Sequence, residues 1–221
     1  MTPTAALNVS IDCQAAVLQG SLVLPPDAFA LVAFAHGSGS SRFSRRNQRV
    51  AQFLQRAGLG TLLLDLLTAE ENAVDQYTAQ YRFDIARLAA RLTDVVDWLA
   101  RQPATQALPL GLFGASTGAA AALIAAAQRP QRVGAVVSRG GRPDLAGQAL
   151  PRVRAPTLLI VGGLDTEVIT LNAAAAQQLG GEHRTVIVPG ATHLFEEPGK
   201  LDEVARLAAD WFVQHLRPAK R

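Results

Sequence analysis

Residues 108–118 read LPLGLFGASTG and are followed at 119–127 by AAAALIAAA. A short apolar run, a G-x-S-x-G turn and a small-residue helix predict a strand, a sharp turn carrying Ser116, and a helix. Side chains two positions before and after the serine would collide on such a turn, which explains Gly114 and Gly118. A glycine-flanked serine can also lie on an ordinary turn, but this context favours Ser116 as a nucleophile.

Short apolar segments recur along the chain. Six of them are bounded by glycine, proline or polar residues, at 30–35, 61–67, 108–113, 133–137, 157–161 and 185–188. Such segments are typical of strands buried on both faces of a parallel sheet. Their alternation with amphipathic stretches predicts an α/β fold, a mostly parallel sheet with helices on both faces.

Three stretches repeat apolar residues at helical spacing: one between Ser44 and Gly58, one at 85–99 and one at 204–216. Residues 7–11 and 15–24 predict an N-terminal antiparallel hairpin, which brings the sheet to about eight strands. In parallel sheets the chemistry lies just beyond the carboxyl ends of the strands. Polar residues at those ends are therefore the candidates for a functional site.

A serine hydroxyl requires a base, and the base requires an orienting acid. Of the four histidines, only His193 lies in a late loop beyond a strand's carboxyl end. His183 lies in a charged turn, and we expect His215 on the surface of the last helix. Asp165 follows segment 157–161 through a glycine turn, so we expect its carboxylate at the same edge as Ser116 and His193.

Three other carboxylates are weaker candidates for the acid. Asp65 also ends a strand and is the best rival, although its leucine-rich flanks favour a structural capping role. Asp144 follows segment 133–137. Glu196, like its neighbour Glu197, follows His193 too closely to orient its ring.

An oxyanion formed on attack requires preorganised N–H donors. The residue after the nucleophile, Thr117, supplies one. The second is expected in the glycine-rich loop HGSGSS at 36–41, where we assign Ser38. His36 and Gly37 open this loop as candidate substrate contacts, and we expect His36 to brace the loop rather than to transfer protons.

Composition narrows the class of protein. The 221 residues are 49% hydrophobic and 18% charged, which predicts a folded chain with a full core, here a single domain over residues 1–221. One cysteine, Cys13, excludes an internal disulfide framework. The N-terminal sequence lacks a basic stretch followed by an apolar run, so we expect a cytoplasmic protein with no membrane partner.

The charge distribution is uneven. The net charge is +3, and no acidic residue interrupts five arginines between Asp27 and Asp65, at 42, 45, 46, 49 and 56. Nucleic-acid binding is a weak interpretation, because no basic stripe interleaved with aromatic residues is present.

Arginines near the predicted site allow two interpretations. Arg42 follows the oxyanion loop, while Arg139 and Arg142 leave the end of segment 133–137. Guanidinium groups bind carboxylates and phosphates in two-point contacts, so Arg42 and Arg139 are candidate contacts for an acidic acyl group or a carrier- or coenzyme-linked thioester. In the structural alternative Arg139 pairs with Asp144 or another carboxylate, and the arginines at 45, 46 and 49 form a solvated helix face.

The stretches HGSGSSRFSRRN, LLLDLLT, FGASTGAAAAL, VVSRGGRPDLAG and VPGATHLFEEPG resemble those of α/β-hydrolases. The resemblance covers essentially the whole chain and is greatest to the compact dienelactone hydrolase-like branch. It implies Ser116 as nucleophile, Asp165 as acid and His193 as base, in the chain order of that fold. Dienelactone hydrolases proper use a cysteine nucleophile, so the serine at 116 disfavours dienelactones. Only residues 138–156 join two strands where lipases insert a lid, so we expect no cap domain and an open site.

These observations predict a serine esterase or thioesterase that acts on small esters through an acyl-enzyme, without a metal or organic cofactor. The same triad could transfer the acyl group to another acceptor or cleave a lactone or a carbon–carbon bond. A non-catalytic binding protein on this fold is the remaining alternative, because fold does not fix function.

Overall fold

The computed structural model describes residues 4–14 and 16–217. Its centre is an eight-stranded sheet in the order β1-β2-β4-β3-β5-β6-β7-β8. The strands are β1 (Leu7–Cys13), β2 (Ala16–Val23), β3 (Ala30–Ala35), β4 (Leu59–Leu64), β5 (Leu110–Ala115), β6 (Val133–Arg139), β7 (Thr157–Gly162) and β8 (His183–Val188). The expected α/β class and strand number are confirmed.

The described residues form six α-helices. They are α1 (Arg45–Arg56), α2 (Ala69–Thr78), α3 (Ile85–Leu99), α4 (Thr117–Gln128), α5 (Thr166–Ala176) and α6 (Lys200–Leu216). Side-chain caps start several of them: Ser44 accepts from the Asn47 N–H, and Thr68 with Glu71 forms a reciprocal capping box. Helices α2 and α5 were not predicted, because neither repeats apolar residues as regularly as α1, α3 and α6.

Strand polarity divides the sheet into two parts. β1 pairs with β2, and β2 with β4, in antiparallel fashion, whereas the pairs from β3 to β8 are parallel. The predicted hairpin is therefore present, although Ala15, the predicted first residue of its second strand, lies outside the described residues. The prediction that segment 185–188 is buried on both faces is wrong, because β8 is the sheet edge and most of its residues are at least partly exposed.

Two apolar layers lie on opposite faces of the sheet. One packs α3 and α4 against residues such as Leu112 and Val136, and the other packs α1 and α6 against residues such as Phe113 and Val137. Neighbouring residues of one strand thus face different layers, as a strand buried on both faces requires. All six residues of β3, β4, β5 and β7 are buried, so the loops at the carboxyl edge of the sheet start from the core.

The connection between β6 and β7 is short. It contains a 3-10 helical segment, Pro143–Arg152, and no inserted domain lies among the described residues of this connection. None of the helices in the described part of the chain is both long and apolar enough to cross a bilayer.

We expect Gly118→Ala to lower the free energy of unfolding by about 2 kcal/mol, the cost of overpacking against atoms that cannot move aside. The added Cβ would lie 2.5 Å from the backbone oxygen of His36. Urea denaturation measures the loss. Gly199→Ala is the control: its φ is +78° and no atom lies within 4 Å of the added Cβ, so it should lose about 1 kcal/mol from backbone strain alone. Equal losses would contradict the packing argument.

Candidate active site

Ser116 lies on a strained turn between β5 and α4. Its φ is +50° and its ψ −123°, a conformation that costs a residue with a side chain on the order of 1–3 kcal/mol. The turn is possible because its neighbours lack bulk: a Cβ on Gly114 would lie 2.7 Å from the Ala119 nitrogen. The predicted elbow is therefore present, and it presents the Ser116 side chain at the carboxyl edge of the sheet.

The end of β6 holds this turn in place. The Ser116 N–H donates to the Arg139 carbonyl at 3.3 Å, and the Ser116 carbonyl accepts from the Arg142 N–H at 3.1 Å. Asn172, a buried residue of α5, donates to the Gly141 carbonyl at 3.0 Å. The end of β6 and the segment after it thus hold the strained serine, and α5 supports that segment through Asn172. The sequence analysis did not identify Asn172 as part of the site. The only feature that marks Asn172 in the sequence is an amide side chain within an alanine-rich stretch.

The structure brings Asp165 and His193 together. His193 Nδ1 lies 2.6 Å from Asp165 Oδ2, and the side chains are 38% and 16% exposed. A carboxylate at this distance fixes the ring so that Nδ1 carries a proton and Nε2 can accept one.

Backbone hydrogen bonds between two loops set this distance. The Gly163 N–H donates to the Val188 carbonyl at 2.8 Å, and the Leu164 N–H donates to the Ala191 carbonyl at 2.9 Å. The loop after β7, which carries Asp165, is therefore bonded to the loop after β8, which carries His193. Phe195, fully buried with a φ of +56°, anchors the second loop in the α1/α6 layer.

Gly140 connects the histidine loop to the elbow. A Cβ at Gly140 would lie 2.9 Å from the His193 backbone oxygen and 3.6 Å from His193 Cε1, and Gly140 directly follows Arg139, the residue bonded to Ser116. No hydrogen bond joins Ser116 to His193 within residues 4–14 and 16–217. Catalytic hydrogen bonds are often long in unliganded enzymes and tighten with substrate.

The two predicted oxyanion donors lie around the nucleophile. Gly37 comes so close to the elbow that an added Cβ would lie 3.0 Å from Ser116 Cβ, and Ser38 follows it on the exposed part of the loop. Among the described residues, the Ser38 and Thr117 N–H groups make none of the loop and cap hydrogen bonds. Both remain available to a ligand, and Thr117 is the first residue of α4, where N–H groups point out of the helix.

His36 lies behind the oxyanion loop and is buried. Its Nδ1 lies 2.8 Å from the Gly37 carbonyl, and its Nε2 accepts from the Leu66 N–H at 3.0 Å. Burial lowers the pKa of His36 below its usual value, against smaller opposing effects of Gly37 and Asp65. Both ring nitrogens have backbone partners, which supports the expected bracing role, while a contact of His36 with substrate stays a prediction.

The guanidinium of Arg42 is already paired with a carboxylate. This guanidinium pairs with Asp65, whose other oxygen accepts the Arg42 N–H at 2.7 Å. Asp65, the best rival for the acid, is therefore occupied with the oxyanion loop rather than with His193.

A cavity of about 630 Å³ lies beyond the oxyanion loop. Residues 36–43, the first turn of α2, Gln19, Asp65 and Arg82 are among its lining, whereas Ser116 and His193 are not. The loop therefore borders the cavity, and Ser116 lies outside it.

The two arginines at and after the end of β6 do not pair as expected. Arg142, rather than Arg139, pairs with Asp144, through two hydrogen bonds of 2.8 and 2.9 Å. Arg139 is buried and reaches only Asn47, at 3.4 Å. The structural alternative, in which Arg139 pairs with a carboxylate, is therefore wrong for the described part of the chain.

The remaining candidates have structural partners. Glu196 pairs with Arg46 at 2.6 Å, and Glu197 accepts the Thr192 N–H at 3.0 Å, which lowers the pKa of Glu197. His215 was expected on the surface, but its side chain is only 11% exposed and packs on the Trp211 ring at 4.3 Å.

An elbow serine, a histidine paired with a carboxylate and an adjoining loop of free N–H groups, in this sheet order, define an α/β-hydrolase. Residues 19–216 match the family model described as Dienelactone hydrolase family. The chain therefore belongs to the dienelactone hydrolase family.

Two relatives from Mycobacterium tuberculosis, which carry the provisional name phosphoribosyl transferase, are 58% identical to this chain over 197 residues, or 89% of it. The match spans only 44% of their length, so most of each relative lies outside the region compared. Their name describes a whole protein more than twice as long as the matched part.

Solved structures extend the likeness to three dimensions. The crystal structure of dienelactone hydrolase from Anabaena variabilis is 57% identical, covers 97% of this chain and 99% of its own, and has a TM-score of 0.95. Est1E from Butyrivibrio proteoclasticus, at 17% identity and a TM-score of 0.79 over 96% of this chain and 99% of its own, shares the fold.

We expect His36 to make stability depend on pH. Its folded pKa lies below the usual 6.5, so the unfolded chain binds more protons in this window and stability falls as the pH falls. The contribution is complete above about pH 6.5 and is lost as the pH falls through the folded-state pKa, with a slope of at most about 1.4 kcal/mol per pH unit.

Urea denaturation between pH 7 and pH 5 should show a shallower pH dependence in His36→Gln than in the native chain. His183→Gln is the matched control, because His183 is exposed, and it should keep the native slope. An unchanged slope in His36→Gln would contradict the buried neutral ring.

Proposed function

We propose that the protein is a serine hydrolase that cleaves small ester or thioester bonds through an acyl-enzyme. The observation that carries the proposal is the 2.6 Å contact between His193 Nδ1 and Asp165 Oδ2, at the same sheet edge as the strained elbow of Ser116. A partly buried carboxylate beside a partly exposed histidine is the arrangement that prepares a general base.

In the proposed reaction, His193 Nε2 takes the hydroxyl proton as Ser116 Oγ attacks the carbonyl carbon. Asp165 keeps the ring oriented and stabilises the imidazolium that forms. The tetrahedral oxyanion is bound by the N–H groups of Thr117 and Ser38. Collapse expels the alcohol or thiol, which takes the proton from His193. Water, deprotonated by the same histidine, then releases the acid from Ser116.

The surroundings of the elbow favour small substrates. The cavity of about 630 Å³ beyond the oxyanion loop has the size of ordinary small-molecule sites. An ester whose carbonyl oxygen lies between Ser38 and Thr117 can extend one arm over the loop into it. The short connection that contains Pro143–Arg152 offers no lid, which disfavours long acyl chains.

The name of the Mycobacterium tuberculosis relatives raises phosphoribosyl transfer as another activity. The match covers 44% of those proteins, and the matched region is the one with the dienelactone hydrolase model. Hydrolysis therefore explains the matched region better than phosphoribosyl transfer does. Acyl transfer by the same three residues is a separate alternative, and the products formed when an alcohol is added distinguish it from hydrolysis.

We expect a fluorophosphonate probe to label Ser116. Attack of Ser116 Oγ on phosphorus forms the O–P bond and expels fluoride, and it requires the same base as ester cleavage. Intact-mass and peptide mass spectrometry should find one adduct on Ser116, and His193→Ala should lower the labelling rate by at least about 100-fold. A small chromogenic ester such as p-nitrophenyl acetate should lose its turnover in Ser116→Ala.

Ser138→Ala is the matched control for Ser116→Ala. Ser138 is a residue of β6 and pairs with Gly114 of β5. Its buried hydroxyl has no hydrogen-bond partner among the described residues. This variant should keep native labelling and turnover. A folded protein that is not labelled at Ser116, or a Ser116→Ala variant that retains full turnover, would overturn the proposal and favour a binding protein.

A further inference from the structure

Arg139 is a buried cation without a counter-ion. Its side chain is 7% exposed, and its one hydrogen bond is a 3.4 Å contact to Asn47 Oδ1. The Nε atom is buried without an acceptor, and no carboxylate lies within salt-bridge distance among residues 4–14 and 16–217. Burying a charged group without a partner is costly, so such a residue calls for an explanation.

Arg91 provides the comparison within the same chain. It is 5% exposed, and its two Nη atoms donate to Glu71 at 2.6 Å. The fold can therefore supply a carboxylate to a buried guanidinium where the role is structural. At Arg139 it supplies an amide oxygen instead.

The surroundings of Arg139 carry excess positive charge. Arg46 lies close enough that its charge, after the larger effect of burial, lowers the pKa of Arg139 to about 10. Arg46 pairs with the exposed Glu196, and among the described residues its Nε is also buried without an acceptor. Arg46 lies in the first turn of α1, and the Arg139 side chain contacts Asn47 in that same turn. The first turn of α1 contains no acidic residue, and its helix dipole favours an anion.

This cluster adjoins the nucleophile. Arg139 pairs with Ala115 across β5 and β6, and its carbonyl accepts the Ser116 N–H at 3.3 Å. Gly140, the next residue, contacts the His193 loop. The backbone of Arg139 therefore lies one strand from Ser116, so a group bound to its side chain shares this edge of the sheet with the predicted site of attack.

We propose that Arg139, Arg46 and Asn47 form a subsite for one oxyanion group, a carboxylate or phosphate, on the acyl part of the substrate. Each of the two guanidinium groups has an Nε–H donor that is buried and lacks an acceptor among the described residues, and the anion supplies the negative charge that these residues omit. This inference rests on the proposed function for its substrate, and it adds a recognition site on the α1 side of the sheet, away from the cavity beyond the oxyanion loop.

Kinetics on a matched pair of esters tests the subsite. The neutral ester is p-nitrophenyl butyrate, and the charged one is mono-p-nitrophenyl glutarate, which adds a terminal carboxylate to the acyl chain and keeps the same leaving group. We expect Arg139→Met to lower kcat/KM for the charged ester by about 10- to 100-fold, the loss expected for charge-assisted hydrogen bonds. The neutral ester should change less than about 3-fold.

Arg142→Met is the matched control, because Arg142 leaves the same strand but is paired with Asp144. It should leave the ratio of the two esters unchanged. If the ratio of kcat/KM for the charged ester to kcat/KM for the neutral ester were the same in the native chain and in Arg139→Met, the subsite would be overturned. Arg139→Gln gives a second reading if Arg139→Met does not fold, with the same expected loss of preference.

Stability and binding separate the subsite from the proposed catalysis. Arg139→Met should be at least as stable as the native chain, since it removes an unpaired buried charge, whereas Arg91→Met should be clearly less stable. Thermal shift with sodium glutarate, inorganic phosphate and neutral glutaramide should show stabilisation by at least one of the two anions, lost in Arg139→Met. The anion that stabilises the protein more, glutarate or phosphate, identifies the ligand group.

Because thermal shift needs no turnover, anion binding without ester cleavage or Ser116 labelling would overturn the proposed hydrolysis and leave the anion site standing. Ester cleavage with neither anion stabilisation nor charge preference would overturn only the subsite.

Discussion

The close contact of three backbone segments around Ser116 is the constraint on which the rest of the site depends. Gly118 lies against the carbonyl groups at the end of β3, and Gly114 lies against the first turn of α4. No side chain fits at either position, so the small residues of the elbow and helix determine how close the strand, the helix and the oxyanion loop can come. The positive φ of Ser116 is the conformational cost of this packing, and the hydrogen bonds from the end of β6 help to offset it.

The order of the parallel strands explains why distant residues converge. β3, β5, β6 and β7 lie side by side in that order, so their following loops meet at one edge, as parallel strands require. Two pairs of neighbours are joined by backbone hydrogen bonds: Ser116 after β5 bonds to Arg139 at the end of β6, and Leu164 after β7 bonds to Ala191 after β8. An arrangement built in this way needs few side-chain contacts to hold it, which is why Ser116 and His193 can remain partly exposed.

The sequence predicted the elements whose signal is local and could not predict those that depend on pairing. The strand of Ser116, the glycine turn before Asp165 and the helix after Ser44 follow from short patterns of apolar and small residues. The edge position of β8 does not follow from such a pattern, because the composition of β8 resembles that of a central strand. Only the order of strands in the sheet shows that β8 lies at an edge. The partners of Arg42, Arg139 and Arg142 were equally hidden, since which carboxylate reaches which guanidinium depends on side chains far apart in sequence.

Arginine content by itself explains little about function in this chain. Nineteen of its 21 basic residues are arginine, because only Lys200 and Lys220 are lysines, and a general bias toward arginine produces exposed pairs such as Arg49 with Asp202. A bias of that kind does not produce a guanidinium that is buried, lacks a carboxylate and lies beside a second guanidinium. Replacement of such a residue by an apolar one would remove a desolvation cost, so its presence one strand from Ser116 is better explained by a ligand that completes the charge than by composition or stability.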